Sequence, residues 1–439
     1  MTQYSTQTDD FLNTNRNIYE VMYLANNANG DIVTTANPLP VSLQSSSGQT
    51  NTITLGGTNL DAFARLRVSN PHTLFDSTLR YTDDTRNWST ANTANSSYSI
   101  DGDASLMNMV VGTSSGAYVV RQTKRHFLYQ PGKSLLTLNS FNMQPKANVI
   151  QRVGNFSANN GVYLENDGTN TYIVLRSKSS GTVSNTKVIQ SSWSENTLSS
   201  LNIDKAQLFW TDFEWLGVGS VRAGFVIDGE FVTCHKFHHA NANTGTYMGT
   251  ATLPIRYEIE NVGPTASNTT LQQICSTVMS EGGHTPRVAT RSISTTLAGL
   301  AMSDVTYRPL IAIRLKSGRD GGVVVPAIAN LFGLQTTPFN YKILEDATVS
   351  GGAWVSAGDE SHVEYNITAT GVSGGRNLMQ GMFIGGTYVQ PMELLFKEFN
   401  SSYQLKTELD GTAETFVITA IATTNNDDAV ASLSWEEYN

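Results

Sequence analysis

The stretch VRAGFVIDGEFVTCHKF, residues 221–237, limits the possible folds more than any other part of the chain. Phe225, Val226 and Ile227 run into Asp228-Gly229 and leave through Phe231 and Val232. Asp-Gly between apolar strand formers is a strong hairpin signal. A type I′ turn needs positive φ at both central positions, and these residue types tolerate it. The same pattern recurs along the chain. SYSIDGDASLMNMVVG turns at Asp101-Gly102, and SGAYVVRQTKRHFLYQPGKSLLTLNSFNM joins two runs through Pro131-Gly132. GVYLENDGTNTYIVLRS sets Tyr163 and Tyr172 on strands flanking an Asn/Asp/Gly turn. No long stretch between these runs carries the 3.6-residue period of an amphipathic helix. The one short helix candidate, NTTLQQICSTVMS at 268–280, is β-branched enough to be another strand. Many turn-separated strands without intervening helices predict an all-β, antiparallel sandwich of jelly-roll type.

Composition narrows the function classes. Charged residues make up 15% of the 439-residue chain, against about 25% in ordinary soluble domains. Ser, Thr, Asn and Gly fill the deficit, while hydrophobic residues stand at 39%. The net charge is −9 and no Lys/Arg cluster stands out, so nucleic acid is not expected as a direct partner. Two cysteines, Cys234 and Cys275, exclude a disulfide framework and a four-cysteine zinc site. They are free to pair with each other, but burial as small apolar residues is the expectation. The opening MTQYSTQTDDFLNTNRN lacks the charged and apolar regions of a signal peptide. No window reaches the roughly 18 apolar residues of a membrane helix. The expectation is a chain that folds in a cytoplasm and has no membrane partner.

Three segments follow from the pattern. Residues 1–60 read as an N-terminal arm and hairpin, with a strand at Ile18–Leu24, a turn at Asn29-Gly30 and a Ser/Gly/Gln/Thr linker. A lone hairpin is marginal in water. Ile18, Tyr19 and Val21 are therefore candidate interface residues, set against neighbouring subunits in preference to the main domain. Residues 61–300 are dense in strand signals and form the sandwich. SISTTLAGLAMSD marks a composition break, after which residues 301–439 read as a smaller C-terminal β-domain carrying YRPLIAIRLKS, HVEYNITAT and ETFVITAIATT. No fixed repeat supports a propeller or solenoid.

Several clusters bear on chemistry. In FWTDFEWLG, Phe209, Thr211, Phe213 and Trp215 share one strand face, and Trp210, Asp212 and Glu214 the other. Carboxylates about 7 Å apart on a strand resemble the acid and nucleophile of a retaining glycosidase, and tryptophans stack on sugar rings. Trp210, Asp212, Glu214 and Trp215 are thus the candidate glycan contacts, although a solvated face accounts for alternating acids equally well. His235 and His239 share a face, with His238 opposite. Together with Asp228, Glu230 or His284 they would suit zinc, but no H-E-x-x-H spacing accompanies them, and imidazoles hydrogen-bonded near a loop are the favoured reading. LGVGSVRAG is followed by no helix, so it is no nucleotide fingerprint, and SGRDGG lacks calcium-loop spacing. No catalytic residue, metal or cofactor is expected. Arg65 and Arg67 lie on one side of an extended segment, where they would grip a carboxylate or phosphate. In an acidic chain, ion pairs within or between subunits are the favoured use, with Phe75 beside them at the candidate interface.

The segment holding those arginines, AFARLRVSNPHTLFDSTLRYTDD, resembles an AFGRLRVS-x-P-x-TLFDS signature of virion structural proteins from tailed, especially marine and cyanobacterial, phages. GVYLENDG, VIQSSWSENTL, FWTDFEWLGVGSVRAGFVIDGEFVTCHKFHHAN, ATLPIRYEI and YRPLIAIRLKS continue the resemblance in order. NRNIYEVMYLANNANGDIV is similar to a leader shared by otherwise different phage structural proteins. Ala64 departs from the pattern's glycine, which suggests ordinary extended backbone there. The resemblance implies a concanavalin-like sandwich anchored by its arm in a virion assembled in the host cytoplasm. It implies a non-enzymatic, homo-oligomeric and trimeric protein associated with a tail or fibre and with other virion proteins. The alternatives are a capsid decoration protein or a receptor-recognition protein that binds a host surface glycan.

Overall fold

The alternation read from the sequence builds five antiparallel sheets among the described residues, one of them a two-stranded ladder. In this computed structural model the described residues are 70–283, 287–386, 390–391 and 403–438, with 43–44 and 50–51. The chain divides into two units, residues 1–56 and 57–439. In the first, Leu43–Gln44 pairs with Thr50–Asn51. Ile18, Tyr19, Val21, Ala64, Arg65, Arg67 and His284 lie outside the described residues.

The second unit holds two sandwiches. A seven-stranded sheet runs in the order Ser184–Ile189, Thr171–Ser177, Gly161–Asn166, Val149–Phe156, Ile255–Asn261, Tyr118–Thr123, Trp88–Asn92. Facing it is an eight-stranded sheet: Glu230–Phe237, Val221–Ile227, Gln207–Phe213, Leu135–Asn142, Thr269–Ser280, Leu106–Val111 and Ser96–Asp101, with His72–Thr78 also pairing to Thr269–Ser280. One apolar core fills the space between them. Val153, Leu164, Ile173 and Tyr257 come from the first sheet, and Met109, Phe141, Phe209 and Phe213 from the second. Each such side chain contributes about 1.5–3 kcal/mol by leaving water. The doubtful helix at 268–280 is a strand throughout Thr269–Ser280, because its β-branched residues suit a pleated surface. The hairpin at Asp228-Gly229 has φ of 52° and 82°, the positive pair that a type I′ turn requires.

The second sandwich packs a five-stranded sheet on a six-stranded one. The first is ordered Val288–Ser294, Asp428–Tyr438, Val323–Gly333, Gln390–Pro391, with Leu300–Ala301 also on Asp428–Tyr438. The second is ordered Val355–Ser356, Val363–Asn366, Arg308–Leu315, Phe416–Ala422, Pro338–Ser350, Gly371–Ile384. Leu331, Leu433 and Trp435 meet Ile313, Phe339 and Ile418 in its core. Sheet membership changes between Ser280 and Val288, upstream of the 300/301 boundary expected from composition. The polar SISTTLAGLAMSD run reads as a linker, yet its neighbourhood supplies an edge strand whose outward side chains need no apolar character.

Candidate functional site

The residues singled out in the sequence sit mainly inside the first sandwich. Phe75 is a core residue, 3% exposed, edge-on to Trp88 at 6.0 Å. As an interface residue it is thus placed wrongly by sequence: alternation turns it inward. Trp210 and Asp212 are fully buried. The Trp210 indole lies over Gly224, edge-on to Phe231 at 5.8 Å, and its Nε1 donates to the Phe225 carbonyl at 3.2 Å. Asp212 accepts from the Ser134 hydroxyl and the Arg222 guanidinium. Glu214 is also buried, while Trp215 is partly exposed and donates from Nε1 to the Met248 carbonyl at 3.2 Å. Strand alternation does put Trp210, Asp212 and Glu214 on one face, but that face is covered, so Trp210 presents no ring to a sugar.

Two of the three histidines, His235 and His239, are likewise absorbed into packing, while His238 is exposed with its Nδ1 3.2 Å from Ser220 Oγ. His235 Nδ1 accepts from the Ser194 amide at 3.1 Å. His239 Nδ1 lies 2.7 Å from the Gly219 carbonyl, and its ring stacks on Tyr247 at 3.8 Å. Burial pushes the pKa of both His235 and His239 down. Cys234 and Cys275 are free thiols, and burial pushes Cys234 up to about 12. That makes it a packing residue and not a nucleophile.

The concentrated charge lies on the outer face of the seven-stranded sheet. Arg152, on Val149–Phe156, stands opposite Glu165 in one neighbouring strand and Glu258 in the other. Its guanidinium reaches Glu165 at 2.7 Å, Glu258 at 2.9 Å and Glu260 at 2.7 Å. Lys187 adds to Glu165, and Arg256 to Glu258. Three carboxylates thus meet three cations. Burial alone would raise the Glu258 carboxyl, but Arg256 and Arg152 outweigh it and hold it below the usual range. Beside this lattice Tyr163 stacks on Phe156 at 4.3 Å, with the Arg176 guanidinium 5.0 Å from the Tyr163 ring.

A second buried cluster joins the two sandwiches. Lys124, at the end of Tyr118–Thr123, pairs with Glu408 at 2.5 Å and Glu414 at 2.6 Å. Glu345, on Pro338–Ser350, pairs with Lys406, with Arg376 at 2.9 Å and with Arg86 at 3.5 Å. Backbone contacts run alongside. The Leu409 amide donates to Ser89 Oγ at 3.1 Å, the Thr407 amide to the Lys124 carbonyl at 3.3 Å, and Gln404 Nε2 to the His126 carbonyl at 3.2 Å. Burial raises the Glu345 carboxyl, but Lys406 and then Arg86 outweigh it, so it stays ionised. Glu414 is shifted upward, burial outweighing its lysines. His126 is pushed down to about 4 by burial alone, and its Nδ1 meets no hydrogen-bonding partner among the described residues. Asp346, Glu408 and Glu414 bring carboxylate oxygens within 4.8 Å of one another, a spacing that suits a metal ion. The Lys124 ammonium already bridges two of the three, so the cluster carries its own cation. Sequence reasoning missed this junction. Its only traces are the basic run Lys124-Arg125-His126 and the acidic run from Glu408 to Glu414 in a charge-poor chain.

No protein-family model matches the chain, and no curated protein does. Among solved structures it is similar to a Bacillus licheniformis beta-glucanase at 10% identity and a TM-score of 0.32, covering 48% of this chain and 98% of that one. It is also similar to a glycoside hydrolase family 16 endo-glucanase from Bacteroides ovatus (12%, 0.33, 47% and 99%). Arcelin-5, a lectin-like defense protein from Phaseolus vulgaris, is a further neighbour (10%, 0.31, 48% and 99%). The all-β, antiparallel sandwich architecture itself rests on the sheets of this structure.

Proposed function

We propose that the chain is a non-catalytic structural component of a tailed-phage virion, associated with the tail or a fibre. The observation that carries this reading is the buried junction, where Lys124, Arg86, Glu345, Lys406 and Glu414 tie two sandwiches by charge and backbone contacts together. A chain built to bear load in a particle gains from a body that does not hinge. The ordered strings that resemble those of phage structural proteins point the same way. Glycoside cleavage finds little support in the carboxylates. A retaining glycosidase needs one carboxyl group held protonated near neutrality. Arg152 binds Glu165, Glu258 and Glu260 at once, and Arg222 binds Asp212.

The test is quantitative mass spectrometry of purified particles, split into capsid and tail fractions. A fixed copy number in the tail fraction supports the proposal, and enrichment in the capsid fraction moves it to decoration. Absence from particles contradicts it.

A further inference from the structure

Among the described residues, the edge strands longer than two residues are guarded, with one exception. Ser184–Ile189 carries Lys187, Val288–Ser294 carries Arg291, and Ser96–Asp101 ends on an aspartate. Glu230–Phe237 bears Glu230 and Lys236 and is flanked by the Glu195 and Asn196 amides, which donate to the Cys234 carbonyl. Trp88–Asn92 is capped through Ser89 by the Leu409 amide. Short length, charge and cover are the usual means of keeping an edge from pairing with another chain.

Gly371–Ile384 has none of these beyond its first half. It is 14 residues long and lies at the end of the six-stranded sheet. It pairs with Pro338–Ser350 on one side, and among the described residues no strand pairs with the other. Gly374 and Gly375, at φ of 64° and 78°, interrupt it. Its single charge, Arg376, is taken by Glu345. Past that point, Asn377–Ile384 contains neither a charge nor a proline. Phe383 turns inward onto Phe339. Met382 and Ile384 point the other way, 77% and 59% exposed.

We propose that Asn377–Ile384 pairs antiparallel with the same segment of a second copy about a twofold axis, joining two six-stranded sheets into one. The chemistry selects this partner. An acidic or basic peptide would find no counter-charge along the segment, whereas two copies of a neutral strand approach without local repulsion, although each chain carries −9. Antiparallel pairing about a twofold satisfies the outward amides and carbonyls of both strands at once. It also covers Met382 and Ile384, whose exposure beside an open edge otherwise invites unspecific association. The inference goes beyond the virion reading and does not depend on it. It gives an even number of copies, in place of the threefold assembly implied by the family resemblance.

The experiment is light scattering coupled to size exclusion on the full chain, with the double variant Met382→Lys/Ile384→Lys beside the wild type. The expected result is a wild-type dimer and a variant dissociating at least tenfold more readily, with the two Tm values converging at high dilution, where both proteins are monomers with these side chains exposed. Hydrogen exchange of the wild type at two concentrations is the second measurement, and it stands if the variant fails to fold. Amides of 377–384 are expected to lose protection on dilution. A monomeric wild type, an oligomer that the lysines leave intact, or protection independent of concentration would overturn the proposal.

Discussion

The two buried charge clusters use the same chemistry in opposite topological settings. On the outer face of the seven-stranded sheet, Arg152 ties strands that are already hydrogen-bonded neighbours. At the junction, Lys124 and Glu414 are 290 residues apart and belong to different sandwiches. The first cluster settles register within one sheet, since a slip of one residue would turn Arg152 toward the core. Among the described residues no sheet ladder spans the second, so there the ion pairs and a few backbone contacts tie the sandwiches. Similar ion-pair chemistry therefore does not mean equal roles. What matters is whether the backbone would hold the same geometry without them.

This contrast orders the expected effects. Arg152→Met removes the cation shared by Glu165, Glu258 and Glu260, leaving Glu165 to Lys187 and Glu258 to Arg256. It should cost about 3–5 kcal/mol, read by urea denaturation as a lower midpoint of a single transition. Glu345→Gln takes from Lys406 its nearest carboxylate, leaving Glu414 at 3.9 Å, and should cost about 3 kcal/mol. The double variant Glu345→Gln/Lys406→Met should recover much of it, because a pair removed together leaves no lone buried charge. If Arg152→Met split unfolding into two transitions, as only loss of the junction should, the separation of roles would be wrong.

Acid should act next. His126 has its folded pKa depressed to about 4, so the native state favours the neutral ring. Its contribution is fully present above pH 6.5 and is lost as the pH falls toward 4, amounting to about 2 kcal/mol at pH 5. His235 and His239 shift the same way. Glu414, with a raised value, opposes them, and Glu258 and Glu345, held low, add their losses only below their ordinary range. Melting temperatures between pH 7 and 5 should therefore fall, and His126→Gln should flatten part of that slope. A smaller effect is expected at the hairpin, where Gly229→Ala at positive φ should cost about 1 kcal/mol. The half-exposed pair Lys236–Glu195 should matter least, below about 0.5 kcal/mol on Glu195→Gln.

Much of the fold was legible because period-2 alternation and turn chemistry are local. Asp228-Gly229 and the facing sets Phe209/Phe213 and Trp210/Asp212 could be read from a few residues each. The error at Trp210 and Phe75 came from the same source. Alternation assigns a face but does not say whether loops and a neighbouring strand cover it. The face of Trp210 is closed by Gly224, Phe231 and Arg222, none of which is adjacent in sequence. The junction was invisible for a related reason. Lys124 and Glu414 each look like an ordinary surface charge, and only tertiary packing makes them partners.

The most direct test of this account is differential scanning calorimetry of the full chain beside Glu345→Gln/Glu414→Gln. The account predicts one cooperative transition for the wild type and two separated transitions for the variant, as the sandwiches lose their tie. Two transitions in the wild type, or a single unsplit transition in the variant, would contradict it.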